Sequence, residues 1–110
     1  MKDYTSTDPK YTEIIKLHDL LIEANIPHEF ENFMNGYQVR LNDDVDAVQH
    51  FGSYGEEQNL IEIMGGVTQE EHEHDSVLGY LTADEVFARF KYCYEHNTNT
   101  YEVEAWNTNT

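Results

Sequence analysis

An Asn-Gly dipeptide at residues 35–36 is the feature that most restricts how this chain can fold. Asparagine and glycine both tolerate the positive φ angles of a type I′ turn, so the pair is typical of a tight β-hairpin. Phenylalanines precede the dipeptide, and Tyr37, Val39 and Leu41 alternate with polar residues after it. The pattern predicts an antiparallel hairpin over residues 28–41.

Helix signals stand near both ends of the chain. Asp8 can cap a helix whose first position is Pro9, and apolar residues then recur at three- and four-residue spacing. This pattern predicts a helix over residues 9–25. A Thr-x-x-Glu capping box at residues 82–85 precedes a second apolar stripe and predicts a helix over residues 83–96.

Further strands are predicted between the two helices. Residues 45–51 and 58–64 are rich in apolar residues and are separated by a glycine-containing loop, so each is expected to form a strand. Residues 67–81 allow two interpretations, one helical turn capped by Thr68 or an irregular loop. Residues 101–106 alternate and fit a short edge strand, but the Asn-Thr repeats around them also fit a frayed end.

These elements together predict one α+β domain that spans residues 1–110. Apolar residues make up 39% of the chain, which is enough for a modest core. About four strands form a small antiparallel sheet, and the helices at the N- and C-terminal ends pack on one face of it. The opposite face is then available as an interaction surface. Residues 1–8 and 97–110 are expected to be flexible ends.

Net charge limits the kinds of partner. The chain carries 22 acidic and 6 basic residues, a formal net charge of −16. Phosphate groups repel such a chain, which argues against nucleic acid or an anionic membrane as a direct ligand. No apolar stretch is long enough to cross a membrane, and the first ten residues lack the apolar centre of a signal peptide. The sequence therefore predicts an acidic cytoplasmic protein, as a monomer or a small homo-oligomer.

The acidic residues are concentrated in the middle of the chain. No lysine or arginine occurs between Arg40 and Arg89, whereas twelve aspartates and glutamates do. Carboxylates along two neighbouring strands and their loops approach the charge density of a phosphate backbone, so this region can act as a DNA mimic that docks on a basic protein. A solvated acidic face is the alternative interpretation. The candidate partner-binding residues are Asp43, Asp44, Asp46, Tyr54, Glu56, Glu57, Glu70, Glu71 and Glu73.

A structural zinc site is a second candidate. Imidazole and carboxylate groups suit zinc, and His72, His74 and Asp75 lie close together in the sequence. His50, from the predicted third strand, completes the candidate ligand set. The two neighbouring histidines point the same way only in an extended segment, because on a helix a two-residue spacing puts them about 200° apart. The alternative is an exposed loop that binds metal incidentally.

Catalytic signatures are weak. Ser53 lies near His50 but is not surrounded by a G-x-S-x-G motif, and residues 52–55 lack the spacing of a phosphate-binding loop. Cys93 stands among aromatic residues in a predicted helix, as a buried core thiol does. Because it is the one cysteine, it also excludes an internal disulfide. We therefore expect that the protein is not an enzyme.

Three segments carry a resemblance to known proteins: LHDLLIEANIPHEF, AVQHFGSYGEEQNLIEIMGG and DSVLGYLTADEVFARF. Through them, residues 14–92 resemble small acidic proteins carried by phages and prophages of Gram-positive bacteria. That group includes anti-CRISPR proteins, and the chain is similar in size and charge to those that inhibit the type II RNA-guided nuclease. It also resembles a zinc-containing member of the group.

The resemblance implies a phage inhibitor that binds the type II CRISPR effector nuclease in the host bacterial cytoplasm and blocks DNA binding or cleavage. The basic surfaces with which such a nuclease holds nucleic acid attract an acidic, aromatic-bearing sheet. Three other functions are open at this point: a phage sponge for a small nucleotide signal of host defence, a metal-dependent enzyme, and a phage protein with an unrelated interaction. For the enzyme, the sequence shows no ligand triad with a plausible base. The sponge needs a cationic pocket, for which the chain has only six lysines and arginines.

Overall fold

The computed structural model describes residues 11–75 and 77–102. The predicted flexible end at residues 1–8 lies outside this part of the chain. In chain order, the described elements are α1 (Thr12–Glu23), β1 (Glu29–Phe33), β2 (Gly36–Asn42), β3 (Val45–Gln49), a 3-10 turn (Glu56–Gln58), β4 (Ile61–Met64), α2 (Gln69–His74), β5 (Val77–Leu81) and α3 (Ala83–His96).

The strands form one antiparallel sheet in the order β1-β2-β3-β4-β5, so each strand pairs with its neighbour in the sequence. The predicted α+β class, with an antiparallel sheet and a helix toward each end, is confirmed. The predicted number of about four strands is too low, because the sheet of the described residues has five. The additional strand is β5, which lies where the sequence allowed only a helical turn or a loop.

The segment that the sequence left open contains both a helical turn and a strand. The capping box of α2 is present: the Thr68 hydroxyl accepts from the backbone N–H of Glu71 at 3.1 Å, and the Glu71 carboxylate accepts from the backbone N–H of Thr68 at 2.8 Å. β5 then pairs with β4 through an irregular register between Ile61 and Ile63. This irregularity and the glycine within β5 interrupt the alternation by which a strand is recognised in a sequence.

The hairpin of β1 and β2 is present, but its turn lies one residue earlier than the Asn-Gly pattern predicts. Met34 and Asn35 form the turn with φ angles of 49° and 67°, and Phe33 pairs with Gly36. Gly36 is required for a different reason, because a Cβ atom there collides with the backbone at the end of β3, at Gln49. The glycine therefore allows β2 and β3 to approach each other closely.

One face of the sheet forms the core together with the two long helices. Val39, Ala47 and Ile63 are cross-strand neighbours in β2, β3 and β4, and all three are buried. The helices α1 and α3 pack against each other and against this face, as predicted. Their core-facing residues are Ile14, Ile15, Leu17, Leu21, Val86 and Phe90.

The N-terminus of α1 is capped by side chains from the sheet and its following loop. Tyr11 occupies the N-cap position in a left-handed conformation, and its side chain makes no capping hydrogen bond. Instead, the buried Gln49 side chain accepts from the backbone N–H of Ile14 at 2.9 Å. The Asn59 side chain accepts from the backbone N–H of Thr12 at 3.0 Å and from the Gln49 amide at 2.7 Å. The helix begins at Thr12, and the predicted cap and first position, Asp8 and Pro9, lie outside the described residues.

The N-terminus of α3 is tied to α1 as well as to its own capping box. The Thr82 hydroxyl accepts from the backbone N–H of Glu85 at 3.2 Å, which confirms the predicted box. In addition, the Glu13 carboxylate of α1 accepts from the backbone N–H of Ala83 at 2.7 Å. This bond links the start of one helix to the start of the other and fixes their relative position.

Part of the C-terminal end that was expected to be flexible is held by backbone hydrogen bonds. The N–H of Gly66 donates to the carbonyl of Asn99 at 2.8 Å, and the N–H of Tyr101 donates to the carbonyl of Val67 at 2.9 Å. Residues 97–102 are therefore attached to the connection between β4 and α2. The predicted edge strand over residues 101–106 lies mostly outside the described residues.

The buried amide network predicts a large loss of stability when Gln49 is replaced by an apolar residue of similar size. In Gln49→Leu, the N–H of Ile14 loses its acceptor and Asn59 loses a donor, so we expect the free energy of unfolding to fall by about 2–3 kcal/mol. Urea denaturation measures this loss. The exposed Gln58→Leu is the matched control and should change stability by less than about 0.5 kcal/mol. Equal effects of the two substitutions would contradict a structural role for the network.

Candidate functional site

The face of the sheet opposite the two long helices is the main candidate surface, and we call it the open face. Its side chains are those that alternate with the core residues on the first four strands. They are Glu29 and Glu31 of β1, Gln38 and Arg40 of β2, Asp46 and Val48 of β3, and Glu62 and Met64 of β4.

The open face is predominantly acidic. It carries four carboxylates and one guanidinium group, that of Arg40. The Arg40 guanidinium lies 4.0 Å from the Glu29 carboxylate and 3.9 Å from the Glu31 carboxylate, and Arg40 pairs with Asp46 across β2 and β3. The Asp46 carboxylate also accepts from the Gln38 amide at 2.8 Å. The positive charge is thus surrounded by acids, and the face keeps a net negative charge.

Exposed aromatic residues collect at one end of the open face. Phe33 lies at the β1–β2 turn, Phe51 and Tyr54 lie in the loop after β3, and Tyr80 lies in β5 opposite the start of β4. All four are at least 36% exposed. The antiparallel pairing brings these positions to the same end of the sheet, and the rings of Phe33 and His50 contact each other with centroids 5.4 Å apart. We call this group the aromatic end.

The structure divides the predicted partner-binding residues between the two ends of the sheet. Asp46 lies within the open face, and Tyr54, Glu56 and Glu57 lie at the aromatic end. The remaining exposed acids are at the opposite end, about 16 Å away along β3 at 3.3 Å per residue. They are Asp43 and Asp44 in the β2–β3 turn and Glu70 and Glu73 on α2.

Glu71, also predicted to bind a partner, is engaged within the fold. Its carboxylate forms a two-pronged ion pair with the Arg89 guanidinium, with N–O distances of 2.8 and 3.0 Å. Arg89 also donates to the carbonyl of Gly66 at 3.1 Å and lies 4.9 Å from the centroid of the Tyr101 ring. The hydrogen bond from Arg89 lowers the pKa of the Glu71 carboxyl group, and the hydrogen bonds from Thr68 lower it further. Burial raises this pKa but does not cancel their effect. Glu71 therefore joins α2 to α3.

The four candidate zinc ligands are not brought together. His50 follows the C-terminal end of β3, whereas α2, with His72 and His74, follows β4 at the opposite end of that strand pair. Because α2 is helical, its two histidines point in different directions, and Asp75 accepts from the backbone N–H of Val77. Within residues 11–75 and 77–102, no three histidine, cysteine, aspartate or glutamate side chains form a group that can hold a metal ion. Zinc remains a prediction from the sequence alone.

Sequence reasoning missed several residues of the open face and the aromatic end. Glu29 and Glu31 occur at two-residue spacing in a predicted strand, which is the signal that they share a face. Glu62 was counted among the central acids but was not assigned to the site. Tyr80 belongs to the surplus of aromatic residues visible in the sequence, but it was not assigned to the site because β5 was not predicted.

The basic residues of the described chain are all engaged in ion pairs. Arg40 and Arg89 are held as described above, Lys16 lies 3.5 Å from the Asp84 carboxylate, and Lys91 lies 3.0 Å from the Glu95 carboxylate. These pairs leave the surface of residues 11–75 and 77–102 dominated by carboxylates. Such a surface repels anionic ligands and attracts cationic ones.

The nucleophile candidates have no catalytic geometry. The Ser53 hydroxyl donates to the backbone carbonyl of His50 at 2.9 Å and accepts from its backbone N–H at 3.1 Å, whereas the His50 ring contacts the Phe51 carbonyl. The hydroxyl therefore closes a turn instead of bonding to the imidazole. Cys93 is buried in α3, as expected, and burial raises the pKa of its thiol to about 11.

A pair of histidines joins α1 to the segment before β1. His18 Nδ1 lies 2.8 Å from His28 Nε2, and His28 Nδ1 lies 2.8 Å from the carbonyl of Ile26. Because a carbonyl only accepts, His28 carries its proton on Nδ1, and in the neutral pair His18 donates to His28. Burial and, next, repulsion from His28 lower the pKa of His18, although Asp19 opposes them. The His18 ring also stacks on Phe30, with centroids 4.1 Å apart.

Comparisons of this chain with protein-family profiles, with curated proteins and with solved structures find no match. None of the described helices is long and apolar enough to cross a membrane.

Two neighbouring glutamates of α2 provide a test of the structural role of Glu71. Glu71→Gln loses the charge that faces Arg89, so we expect the free energy of unfolding to fall by about 1–3 kcal/mol. Glu70→Gln is the same chemical change one residue earlier, on an exposed side chain, and should cost less than about 0.5 kcal/mol. Urea denaturation of both variants gives the comparison, and a Glu71→Gln protein as stable as wild type would refute the ion pair's role.

The histidine pair predicts that stability declines on mild acidification. The pKa of His18 is lower in the folded than in the unfolded chain, so the unfolded chain binds more protons as the pH falls through the ordinary histidine pKa of about 6.5. We expect the free energy of unfolding to decrease between about pH 7.5 and pH 5.5. His18→Phe keeps a ring on Phe30 but cannot titrate, so its decrease should be smaller. Urea denaturation across this range measures both slopes, and identical slopes would contradict the assignment.

Proposed function

We propose that this protein is a phage anti-CRISPR inhibitor that binds a basic surface of the host's type II RNA-guided effector nuclease and blocks DNA binding or cleavage. The observation that carries the proposal is the open face, where three carboxylates lie around one arginine and a fourth, that of Glu62, lies beside the exposed aromatic residues. The identity of the nuclease comes from the resemblance of residues 14–92 to small acidic phage proteins.

The physical basis of binding is electrostatic attraction followed by apolar contact. A nuclease that holds a guide–target duplex does so in a positively charged channel. A negative face accelerates encounter with such a surface, and exposed aromatic side chains then provide the contacts that slow dissociation. The acidic open face and the aromatic end adjoin each other on this chain, so a single docking event can use both.

The charge spacing favours docking beside the nucleic-acid channel over direct replacement of DNA. Neighbouring strands are about 4.8 Å apart, so the four carboxylates from β1 to β4 are spread over about 14 Å. Duplex DNA carries about eight phosphates over that distance. Because Arg40 offsets one of the four carboxylates, the open face has less than half that charge, and its specificity must come from the particular arrangement of its side chains.

Between the nucleotide sponge and the unrelated interaction protein, the sponge has less support. A nucleotide phosphate needs cationic or N–H-rich surroundings, and the described lysines and arginines are already paired with carboxylates. An unrelated phage interaction protein would use the same open face, so only a binding experiment separates it from an inhibitor of the nuclease.

The first experiment is native mass spectrometry of the protein mixed with guide-loaded type II effector nuclease, with and without target DNA. We expect a defined complex that excludes DNA or prevents its cleavage. If no complex forms with effectors from the phage's host range, the proposed partner is wrong.

Charge-neutralised variants test whether the open face carries the binding. In Asp46→Asn/Glu62→Gln, each amide oxygen can still accept the hydrogen bond made by the wild-type residue, but two charges are lost. We expect association with the effector to slow about tenfold at low salt and the difference to shrink at high salt. Stopped-flow association kinetics measure both effects.

The matched control is Asp19→Asn/Glu23→Gln, which removes the same charge from exposed positions on α1 in the helix layer. It should change the association rate less than about threefold, because its charges act only through the long-range field. Equal slowing by the two double variants would assign the attraction to net charge and remove the open face from the mechanism.

A further inference from the structure

A shallow pocket at the aromatic end combines aromatic rings with carboxylates. Its volume is about 230 Å³, and its principal lining residues are Tyr54, Glu56, Glu57 and Tyr80. Glu57 is the more available carboxylate, because the Glu56 carboxylate also accepts from the Tyr11 hydroxyl at 3.3 Å. Tyr54 and Tyr80 are 52% and 60% exposed, and Glu57 is exposed beside them. The pocket is therefore open to solvent and bounded by groups that suit a cation.

The sequence builds this pocket through two unusual backbone positions in β5. A Cβ atom at Gly79 collides with Tyr54, so only glycine allows the loop after β3 to pack this closely on β5. The next residue, Tyr80, has a positive φ of 62°, and its N–H lies 3.3 Å from the carbonyl of Tyr54. These contacts hold the loop of Tyr54 against β5, and both tyrosines therefore line the same pocket.

A carboxylate also anchors the loop from the open face. Glu62 Oε1 accepts from the backbone N–H of Tyr54 at 2.8 Å. The pocket is thus continuous with the acidic open face and does not form a separate site. A partner that docks on the open face can place one side chain in the pocket.

Arginine matches this combination better than lysine. A guanidinium group is planar, stacks on aromatic rings and offers several N–H donors to carboxylates, whereas an ammonium group is a compact and strongly hydrated charge. The same chain already holds one arginine in this way, since Arg89 is bound by the Glu71 carboxylate and lies against the Tyr101 ring.

We propose that the pocket of Tyr54, Tyr80, Glu56 and Glu57 receives an arginine side chain of the protein partner and gives the open face its preference for arginine over lysine. This inference deepens the proposed function and rests on it for the identity of the partner. The pocket's own chemistry is tested without the nuclease.

The test compares two short peptides of equal charge, acetyl-Gly-Arg-Gly-Arg-Gly-amide and its lysine counterpart, by NMR titration of the ¹⁵N-labelled protein. We expect the arginine peptide to shift the amide signals of residues 53–58 and of Tyr80, with an affinity about three times that of the lysine peptide. Tyr54→Ala/Tyr80→Ala should abolish this difference, whereas Tyr54→Phe/Tyr80→Phe should keep it because the rings remain.

Tyr94→Ala is the control, since Tyr94 is a similarly exposed tyrosine on α3, outside the pocket. Thermal melting of each variant verifies that the fold is retained; alanine at position 54 keeps the Cβ atom that contacts Gly79. Equal affinities for the two peptides, or shifts confined to residues outside the pocket, would overturn the inference.

The inference and the proposed function fail in different ways. If the arginine preference is present but no effector complex forms, the pocket stands and the partner must be sought among other arginine-bearing proteins. If the effector complex forms and Tyr54→Ala/Tyr80→Ala binds it as tightly as wild type, the function stands and the pocket has no part in it.

Discussion

Two amide side chains, those of the buried Gln49 and the half-buried Asn59, join the sheet to the helix layer. Gln49 ends β3, Asn59 precedes β4, and together they accept the first backbone N–H groups of α1. A helix N-terminus needs such acceptors, and α1 has none of its own. The same bonds fix the loop between β3 and β4, whose outer side carries Tyr54, so the buried network also positions the candidate binding surface.

The parts of the fold that were predictable are those with a local cause. The capping boxes before α2 and α3 each need only four consecutive residues, and both are present. The start of α1 was not predictable, because its capping groups come from residues 49 and 59, far along the chain. The role of Gly36 was not predictable for the same reason. The sequence suggested a turn residue, whereas its lack of a side chain allows β2 to approach the end of β3.

The candidate site was predictable in its charge but not in its arrangement. The run of acids without a base was visible in the sequence, and Asp46 does lie on the open face. Nothing in the sequence indicated that Glu71 would form an ion pair with Arg89, because that pairing depends on how α2 packs on α3. The contribution of Tyr80 depends on β5, whose glycine and irregular register hid the strand.

Glu29 and Glu31 have a consequence for how the protein behaves in concentrated solution. β1 is an edge strand, and its outer backbone groups are a template on which a second chain can extend the sheet. If two copies paired through this edge, four glutamates would lie side by side on one face, and their repulsion opposes the pairing. The two side chains thus oppose fibre-like self-association through this edge of the sheet.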